Sequence, residues 1–89
     1  MFTKTGRERY NQQRQRTCTA LGITIYQYNW LRRKGAELHK IYEDICNGVI
    51  EDDEYYTLVM PIEKEVNSYV KELGLFVYYQ TENGLLIWK

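Results

Sequence analysis

The sequence predicts an α+β fold, in which a three-helix, bundle-like domain is followed by a C-terminal two-stranded antiparallel β-hairpin. Apolar residues recur at steps of three and four through two long central segments, and a glycine follows each helical segment. Near the C-terminus, two apolar runs flank Asn83-Gly84, a dipeptide that favours a tight hairpin turn. We expect a single domain, 1–89, with helices at about 6–21, 24–46 and 52–73 and a hairpin at about 75–89.

Length and composition indicate one folded domain. A chain of 89 residues can bury only one hydrophobic core, and its 44% hydrophobic and 15% aromatic residues exclude an intrinsically disordered chain. Apolar runs stay well short of the roughly 18 residues that cross a bilayer, and the polar start Met1-Phe2-Thr3-Lys4 is unlike a signal peptide. We therefore expect a soluble, cytosolic protein that does not contact a membrane.

The formal net charge of zero conceals a strong polarity along the chain. Residues 1–40 carry nine Lys or Arg against two acidic residues, a net charge of about +7, whereas residues 41–89 carry three lysines against ten acids, about −7. Two interpretations are open. Either a basic helix packs beside an acidic one and the charges neutralise each other, or the protein has two surfaces of opposite sign, one of which binds a polyanion.

The first two helical segments differ in how well the sequence defines them. The segment from Gly6 to Leu21 is rich in Gln and Arg and has only a weak apolar stripe. The next begins at Thr24, a good N-cap, and Gln27 three residues later completes a capping box. Gly35 lies in the apolar stripe of this second helix, where it costs roughly 1 kcal/mol relative to alanine. It is therefore expected to let another element approach closely.

The third helix is expected to begin near the acidic run 51–54, because the helix dipole favours carboxylates in a first turn. Its apolar stripe stays in phase across Pro61. The continuity predicts one kinked helix or two coaxial pieces, and the sequence does not decide between them.

The C-terminal hairpin is expected to close with a two-residue type I′ turn at Asn83-Gly84. That turn pairs Glu82 with Leu85, Thr81 with Leu86, Gln80 with Ile87 and Tyr79 with Trp88. One face then holds Leu75, Val77, Tyr79, Leu86 and Trp88, and the other holds Phe76, Tyr78, Gln80, Leu85 and Ile87. Since both faces are mostly apolar, we expect the second to be covered by the first helix, a second copy in a homodimer, or a partner protein.

Catalytic and metal-binding patterns are lacking in the sequence. Cys18 and Cys46 are expected to be buried or half-buried packing residues, and His39 is the only histidine, so no zinc ligand set is evident. There is no Gly-rich phosphate loop, H-E-x-x-H motif or nucleophile elbow. We therefore expect no enzyme activity, no cofactor and no metal.

The segment from Cys18 to Arg33 resembles a helix-turn-helix motif, with a small residue, a turn glycine, a hydroxyl cap and a second helix in sequence. In that motif the second helix reads base edges in the major groove, and basic residues hold phosphates. It departs from the pattern at Cys18, where alanine is usual, and at the bulky Tyr28. The nucleic-acid contacts that the resemblance implies are Arg14, Arg16, Gln27, Asn29, Arg32, Arg33 and Lys34.

Aromatic residues favour a different class of function. Nine tyrosines are present, and Tyr, Trp and Arg concentrate as anchors at protein interfaces. Tyrosines that rim a core with their hydroxyls in water would explain the same composition. If the interface interpretation holds, the residues that contact a partner are expected to be Tyr26, Trp30, Arg33, Phe76 and Tyr78.

Several short strings stand out in the chain: 21–23, 27–29, 31–35 and 46–48, together with 71–76 and the Tyr-rich strand that follows. They resemble small proteins encoded by bacteriophages and prophages, and the likeness covers about residues 17–84. The resemblance implies a non-catalytic accessory protein acting in the cytoplasm of a bacterial host. Such products bind and block or redirect a host protein or ribonucleoprotein complex, for example by inhibiting a CRISPR–Cas defence complex. A DNA-binding regulator that uses the basic half, on duplex DNA, is the alternative.

Overall fold

A computed structural model describes residues 6–80 and 84–89. Three helices, α1 (Gly6–Leu21), α2 (Ile25–Cys46) and α3 (Asp52–Glu72), precede two strands, β1 (Phe76–Gln80) and β2 (Gly84–Trp88). The strands form a two-stranded antiparallel sheet. The predicted α+β fold of three helices followed by a hairpin is confirmed.

The start of α2 follows from local hydrogen bonding. The Thr24 hydroxyl accepts a bond from the Gln27 amide at 3.2 Å, and the Gln27 side-chain oxygen accepts one from the Thr24 amide at 2.8 Å. This reciprocal pair satisfies two helix-terminal donors and confirms the predicted capping box. The buried face of α2 then consists of Leu31, Gly35 and Leu38, at steps of four and three.

Helix α3 is a single helix that continues through Pro61. Its first turn contains Asp52, Asp53 and Glu54, whose negative charges interact favourably with the positive end of the helix dipole. Its buried residues are Val59, Val66 and Val70. The apolar stripe therefore holds α3 against the core on both sides of the proline, and the two-piece alternative is excluded.

The core lies where α2, α3 and the hairpin meet. Its buried cluster consists of Leu31, Val66, Val70 and Leu75. β1 lies against α3 and β2 against α2, so each strand covers one helix.

Tyr79 of β1 anchors this arrangement because its hydroxyl donates to Asn67 Oδ1 at 2.6 Å and lies 3.1 Å from the Glu63 carbonyl. Burial, with a smaller contribution from the Glu63 charge, raises the pKa of Tyr79 to about 12.

The strand register differs from the predicted one. Tyr79 pairs with Leu85 instead of Trp88, and Gln80 pairs with Gly84 instead of Ile87. Gly84 therefore belongs to β2, and a two-residue turn at Asn83-Gly84 is wrong. Asn83 itself and the predicted pairs of Thr81 and Glu82 lie outside the described residues.

The observed register is shifted by three residues from the predicted one, since Tyr79 pairs with Leu85 instead of Trp88. Because three is an odd number, the side chains of β2 lie on the opposite faces of the sheet from those predicted. Directly opposed residues share a face of the sheet. The core face consists of Val77, Tyr79, Leu85 and Ile87, and the outer face of Phe76, Tyr78, Leu86 and Trp88. The assignment of Leu86 and Trp88 to the core face, and of Leu85 and Ile87 to the other, is thus corrected.

The observed register is explained sterically by the close contact between β2 and α2, where two glycines meet. Gly84 is buried with φ +85°, and a Cβ built on it would lie 2.8 Å from Gly35 Cα. A Cβ on Gly35 would in turn meet the Leu85 side chain at 3.4 Å. The prediction that Gly35 allows another element to approach closely is confirmed. The approaching residues are Gly84 and Leu85, the first two of β2.

Helix α1 is held much more loosely than the other two. Cys18 is its only buried residue, and the thiol lies 3.8 Å from the Thr24 carbonyl. Burial raises the pKa of the Cys18 thiol, whereas Cys46 is exposed, so the expectation that both thiols are packing residues is wrong for Cys46. The radius of gyration is 15.3 Å, against about 12 Å for a compact chain of this length. Much of the surface of α1 is consequently available for contact with other molecules.

Candidate functional site

All six arginines of the chain lie on α1 and the first half of α2. Within residues 6–80 and 84–89, none of them forms an ion pair. The ion pairs of these residues are Lys34–Glu65, Lys34–Glu37, His39–Glu43 and Lys40–Asp44. Lys34–Glu65, at 2.9 Å, is the one that joins two different elements.

This pattern favours the second interpretation of the charge polarity, in which the protein has two surfaces of opposite sign. If the basic and acidic halves neutralised each other, carboxylates of α3 would lie beside the arginines, and in the described residues they do not. The described part of the chain therefore has arginines on α1 and α2 that no carboxylate there pairs, and exposed acidic residues at the start of α3.

A shallow groove of about 710 Å³ lies between α1 and the N-terminal half of α2. We call it the arginine groove. Its lining residues are Tyr10, Arg14, Tyr26, Gln27, Asn29, Trp30, Arg32, Arg33, Ala36 and Tyr69. It thus collects three of the predicted partner contacts and five of the predicted nucleic-acid contacts in one place, with Arg33 belonging to both sets.

The centre of the arginine groove is organised around Tyr10. The guanidinium carbons of Arg14 and Arg32 lie 5.5 and 5.2 Å from the centre of its ring, and that of Arg32 lies 5.9 Å from the ring of Tyr28. Cation–π attraction of this kind compensates in part for bringing two guanidinium groups together. Arg14 is held further by bonds to Asn29 Oδ1 at 3.2 Å and Asn11 Oδ1 at 3.0 Å. Both guanidinium groups are therefore held in place without an ion pair to any carboxylate among residues 6–80 and 84–89.

The three predicted partner contacts on α2 have different environments. Tyr26 is 82% exposed, and Arg33 is exposed. Trp30, by contrast, is half-buried, lies 4.2 Å from the Tyr69 ring centre and packs against the core, with the Lys34 ammonium 5.3 Å from its ring. Trp30, predicted only as a partner contact, therefore also contributes to the contact between α2 and α3.

Substitutions should distinguish the exposed Tyr26 from the half-buried Trp30 by their effects on stability. We expect Trp30→Ala to lower the free energy of unfolding by about 2 to 3 kcal/mol, since it removes a large partly buried ring. Tyr26→Ala should change it by no more than about 0.5 kcal/mol, as for other exposed positions. Urea unfolding followed by circular dichroism measures both. A loss of stability in Tyr26→Ala equal to that in Trp30→Ala would show that Tyr26 is a packing residue.

Several residues of the predicted nucleic-acid set are engaged within the protein. Gln27 closes the capping box, and Asn29 accepts a bond from Arg14. Lys34 binds Glu65 and Glu37, and the hydrogen bond to Glu65 raises its pKa above the usual value. Arg16 lies outside the arginine groove, beside Gln12, Gln15, Thr19 and Ala20. Arg32 and Arg33 are exposed on the second helix of the motif.

The outer face of the hairpin is a separate apolar surface. Phe76 and Tyr78 are 59% and 60% exposed, as expected for predicted contacts, and Leu86 and Trp88 lie beside them. The rings of Phe76 and Trp88 stack with centres 5.8 Å apart. Sequence reasoning missed Leu86 and Trp88 because of the register. It also missed Tyr10, although the spacing of Tyr10 and Arg14, one helical turn apart, was a usable signal.

No protein-family model, curated protein or solved structure matches this chain. Among the described residues there is no helix that is both long and apolar enough to span a membrane. The same residues contain no cluster of histidine, cysteine, aspartate or glutamate that could hold a metal ion.

Proposed function

We propose that this protein is a non-catalytic binding protein that acts by occupying an acidic surface of a host macromolecule through its arginine groove. The observation that carries the proposal is the set of six arginines without an ion-pair partner in the described residues. Arginine is the side chain best suited to bind carboxylates or phosphates in a bidentate manner and to stack on rings. In the groove it lies beside Tyr10 and the exposed Tyr26, a combination that is typical of interface anchors.

The biological setting of this proposal comes from the resemblance to bacteriophage and prophage products. On that basis the protein is a small phage-encoded factor in the host cytoplasm that blocks or redirects a host protein or ribonucleoprotein. Inhibition of a host defence complex, for example CRISPR–Cas, is one such activity. It requires contact alone, and a groove with positioned guanidinium groups supports contact.

A matched pair of variants tests the role of the groove. Arg33 on α2 and Lys64 on α3 are both exposed helical cations, and neither has a hydrogen-bond or ion-pair partner among the described residues. The wild-type protein is first used to capture its partner from bacterial lysate, and the purified partner is then titrated by calorimetry. We expect Arg33→Ala to weaken binding about tenfold and Lys64→Ala to leave it unchanged within about twofold. Equal affinities for the two variants would contradict a contact through the arginine groove.

Duplex DNA is the second candidate partner, because Arg32 and Arg33 are exposed on the second helix of the helix-turn-helix-like segment. The engagement of Gln27 and Asn29 within the protein counts against base reading. A DNA-binding protein would bind duplex with an affinity that falls steeply with salt, and Arg33→Ala would reduce the slope of log K against log salt by about 1. Absence of binding to duplex at ~50 mM salt would eliminate this candidate.

A further inference from the structure

A second groove, of about 580 Å³, lies between α1 and β2, with α2 as its floor. We call it the strand groove. Leu31, Gly35 and Ala36 of α2 form part of the floor, and Thr17 and Leu21 of α1 form one wall. The opposite wall consists of three consecutive residues of β2: Leu85, Leu86 and Ile87.

The involvement of consecutive residues identifies which side of β2 faces the strand groove. Side chains of neighbouring strand residues point to opposite faces of a sheet, so one face alone would contribute every second residue. Because Leu85, Leu86 and Ile87 all line the groove, the wall is the long edge of the strand. The sheet has two strands, and β1 occupies the other edge of β2. The edge that borders the groove therefore has main-chain groups that no strand pairs among the described residues.

The dimensions of the strand groove suit an extended segment. The α2 residues that line it run from Tyr28 to His39, about 16 Å along a helix axis. The five residues of β2 span about 17 Å. A segment of about five residues laid along β2 would thus match the length of both walls, with alternate side chains directed towards α2.

The charge of the strand groove indicates what kind of segment fits. Arg32 lines it and has no ion-pair partner in the described part of the chain, whereas His39 is bound to Glu43 at 2.9 Å. A carboxylate on the incoming segment would neutralise Arg32. Strands β1 and β2 contain no acidic residue, so the paired part of a strand from a second copy would bring no side-chain carboxylate to Arg32.

We propose that the strand groove binds an extended, acidic segment of a partner protein, which pairs with the free edge of β2 as a third strand. Main-chain hydrogen bonds to β2 provide the affinity, apolar side chains at alternate positions contact the α2 floor, and a flanking carboxylate binds Arg32. This surface is distinct from the arginine groove apart from Arg32 and Ala36, which border both.

The probe is an end-capped peptide of alternating valine and threonine with an aspartate at each end, titrated into the ¹⁵N-labelled full chain and followed by NMR. We expect the amide signals of Leu85, Leu86 and Ile87 to shift and to become protected from solvent exchange. A peptide of the same sequence with N-methylated edge amides should bind about tenfold more weakly, because it lacks the main-chain donors. A version with lysines in place of the aspartates should also bind more weakly, since it repels Arg32.

Two variants of α1 provide a matched control on the protein. Thr17 and Thr19 both donate a hydroxyl hydrogen bond to the carbonyl four residues earlier, but only Thr17 lines the strand groove. We expect Thr17→Trp to fill the groove and weaken peptide binding about tenfold, and Thr19→Trp to leave it unchanged. The comparison of the two peptides uses the unmodified chain, so it stands even if Thr17→Trp does not fold.

Three results would overturn the proposal. One is the absence of shifts in β2 at millimolar peptide. Another is equal affinity for the N-methylated and unmodified peptides, which would mean that no strand pairing occurs. The third is protection of the β2 amides that rises with protein concentration in the absence of peptide, which would assign the groove to a second copy of the chain.

Discussion

Replacing Gly84 by alanine is expected to lower the free energy of unfolding by about 2 to 5 kcal/mol. The added Cβ meets backbone atoms of Gly35 in α2, with Gly35 Cα only 2.8 Å away. A helix backbone cannot move aside as a flexible side chain can, so β2 would have to move away from the core. The positive φ of Gly84, +85°, adds the cost of placing an L-residue in the left-handed region.

Gly74→Ala distinguishes the cost of the clash with Gly35 from the cost of a positive φ. Gly74 has φ +71°, and nothing lies within 4 Å of a Cβ built there, so its substitution tests the conformational cost alone. We expect that variant to lose about 1 to 2 kcal/mol. Urea unfolding of both variants, monitored by circular dichroism, measures the difference. Equal losses would mean that the contact between β2 and Gly35 does not limit the space at Gly84.

Leu31→Ala should have an effect of similar size, a loss of about 2 to 5 kcal/mol. Leu31 is 2% exposed and belongs to the buried cluster at which α2, α3 and the hairpin meet. Removal of its side chain leaves a cavity among Val66, Val70 and Leu75, residues on elements that cannot all collapse towards it at once. Since domains of this size are stable by about 5 to 15 kcal/mol, such a loss would bring the chain close to unfolding at ambient temperature.

Leu58 provides the control for Leu31. It lies on α3 and is 45% exposed, so Leu58→Ala should cost less than about 1 kcal/mol. Thermal unfolding and urea unfolding of both variants give the comparison. If Leu31→Ala were no more damaging than Leu58→Ala, the core would not be centred on the α2–α3–hairpin junction.

The positions of these residues separate stability from binding. Leu31 and Gly84 support the core, whereas Tyr26 and Arg33 are exposed on α2. Loss of partner binding in Arg33→Ala, with the unfolding transition unchanged, would therefore report on contact and not on folding. Trp30 lies in between, because its ring faces the arginine groove while packing on Tyr69.

Local features of the sequence were sufficient to predict the three helices. The capping box of Thr24 and Gln27, the spacing of Leu31, Gly35 and Leu38, and the terminating glycines each depend on residues within a few positions of one another. Such short-range hydrogen bonding and periodicity are legible without knowledge of the fold. The same holds for α3, whose apolar stripe stays in phase through Pro61.

The candidate site was only partly predictable. Tyr26 and Arg33 were predicted to contact a partner, and both are exposed on α2, as helical periodicity allows from local sequence. The environment of Trp30 was not predictable, because its partner Tyr69 comes from a helix 39 residues further along the chain. The partners of Arg14 and Lys34, namely Asn29 and Glu65, were hidden for the same reason.

The sequence by itself determined the number, order and type of the elements, the capped start of α2 and the separation of charge along the chain. Only the tertiary structure decided the register of the hairpin, the absence of ion-pair partners for the arginines within residues 6–80 and 84–89, and the two grooves beside α1. The register illustrates the reason. Asn83-Gly84 favours a tight turn locally, but the contact of Gly84 with Gly35, 49 residues earlier, places Gly84 within the strand and so decides which face of β2 meets the core.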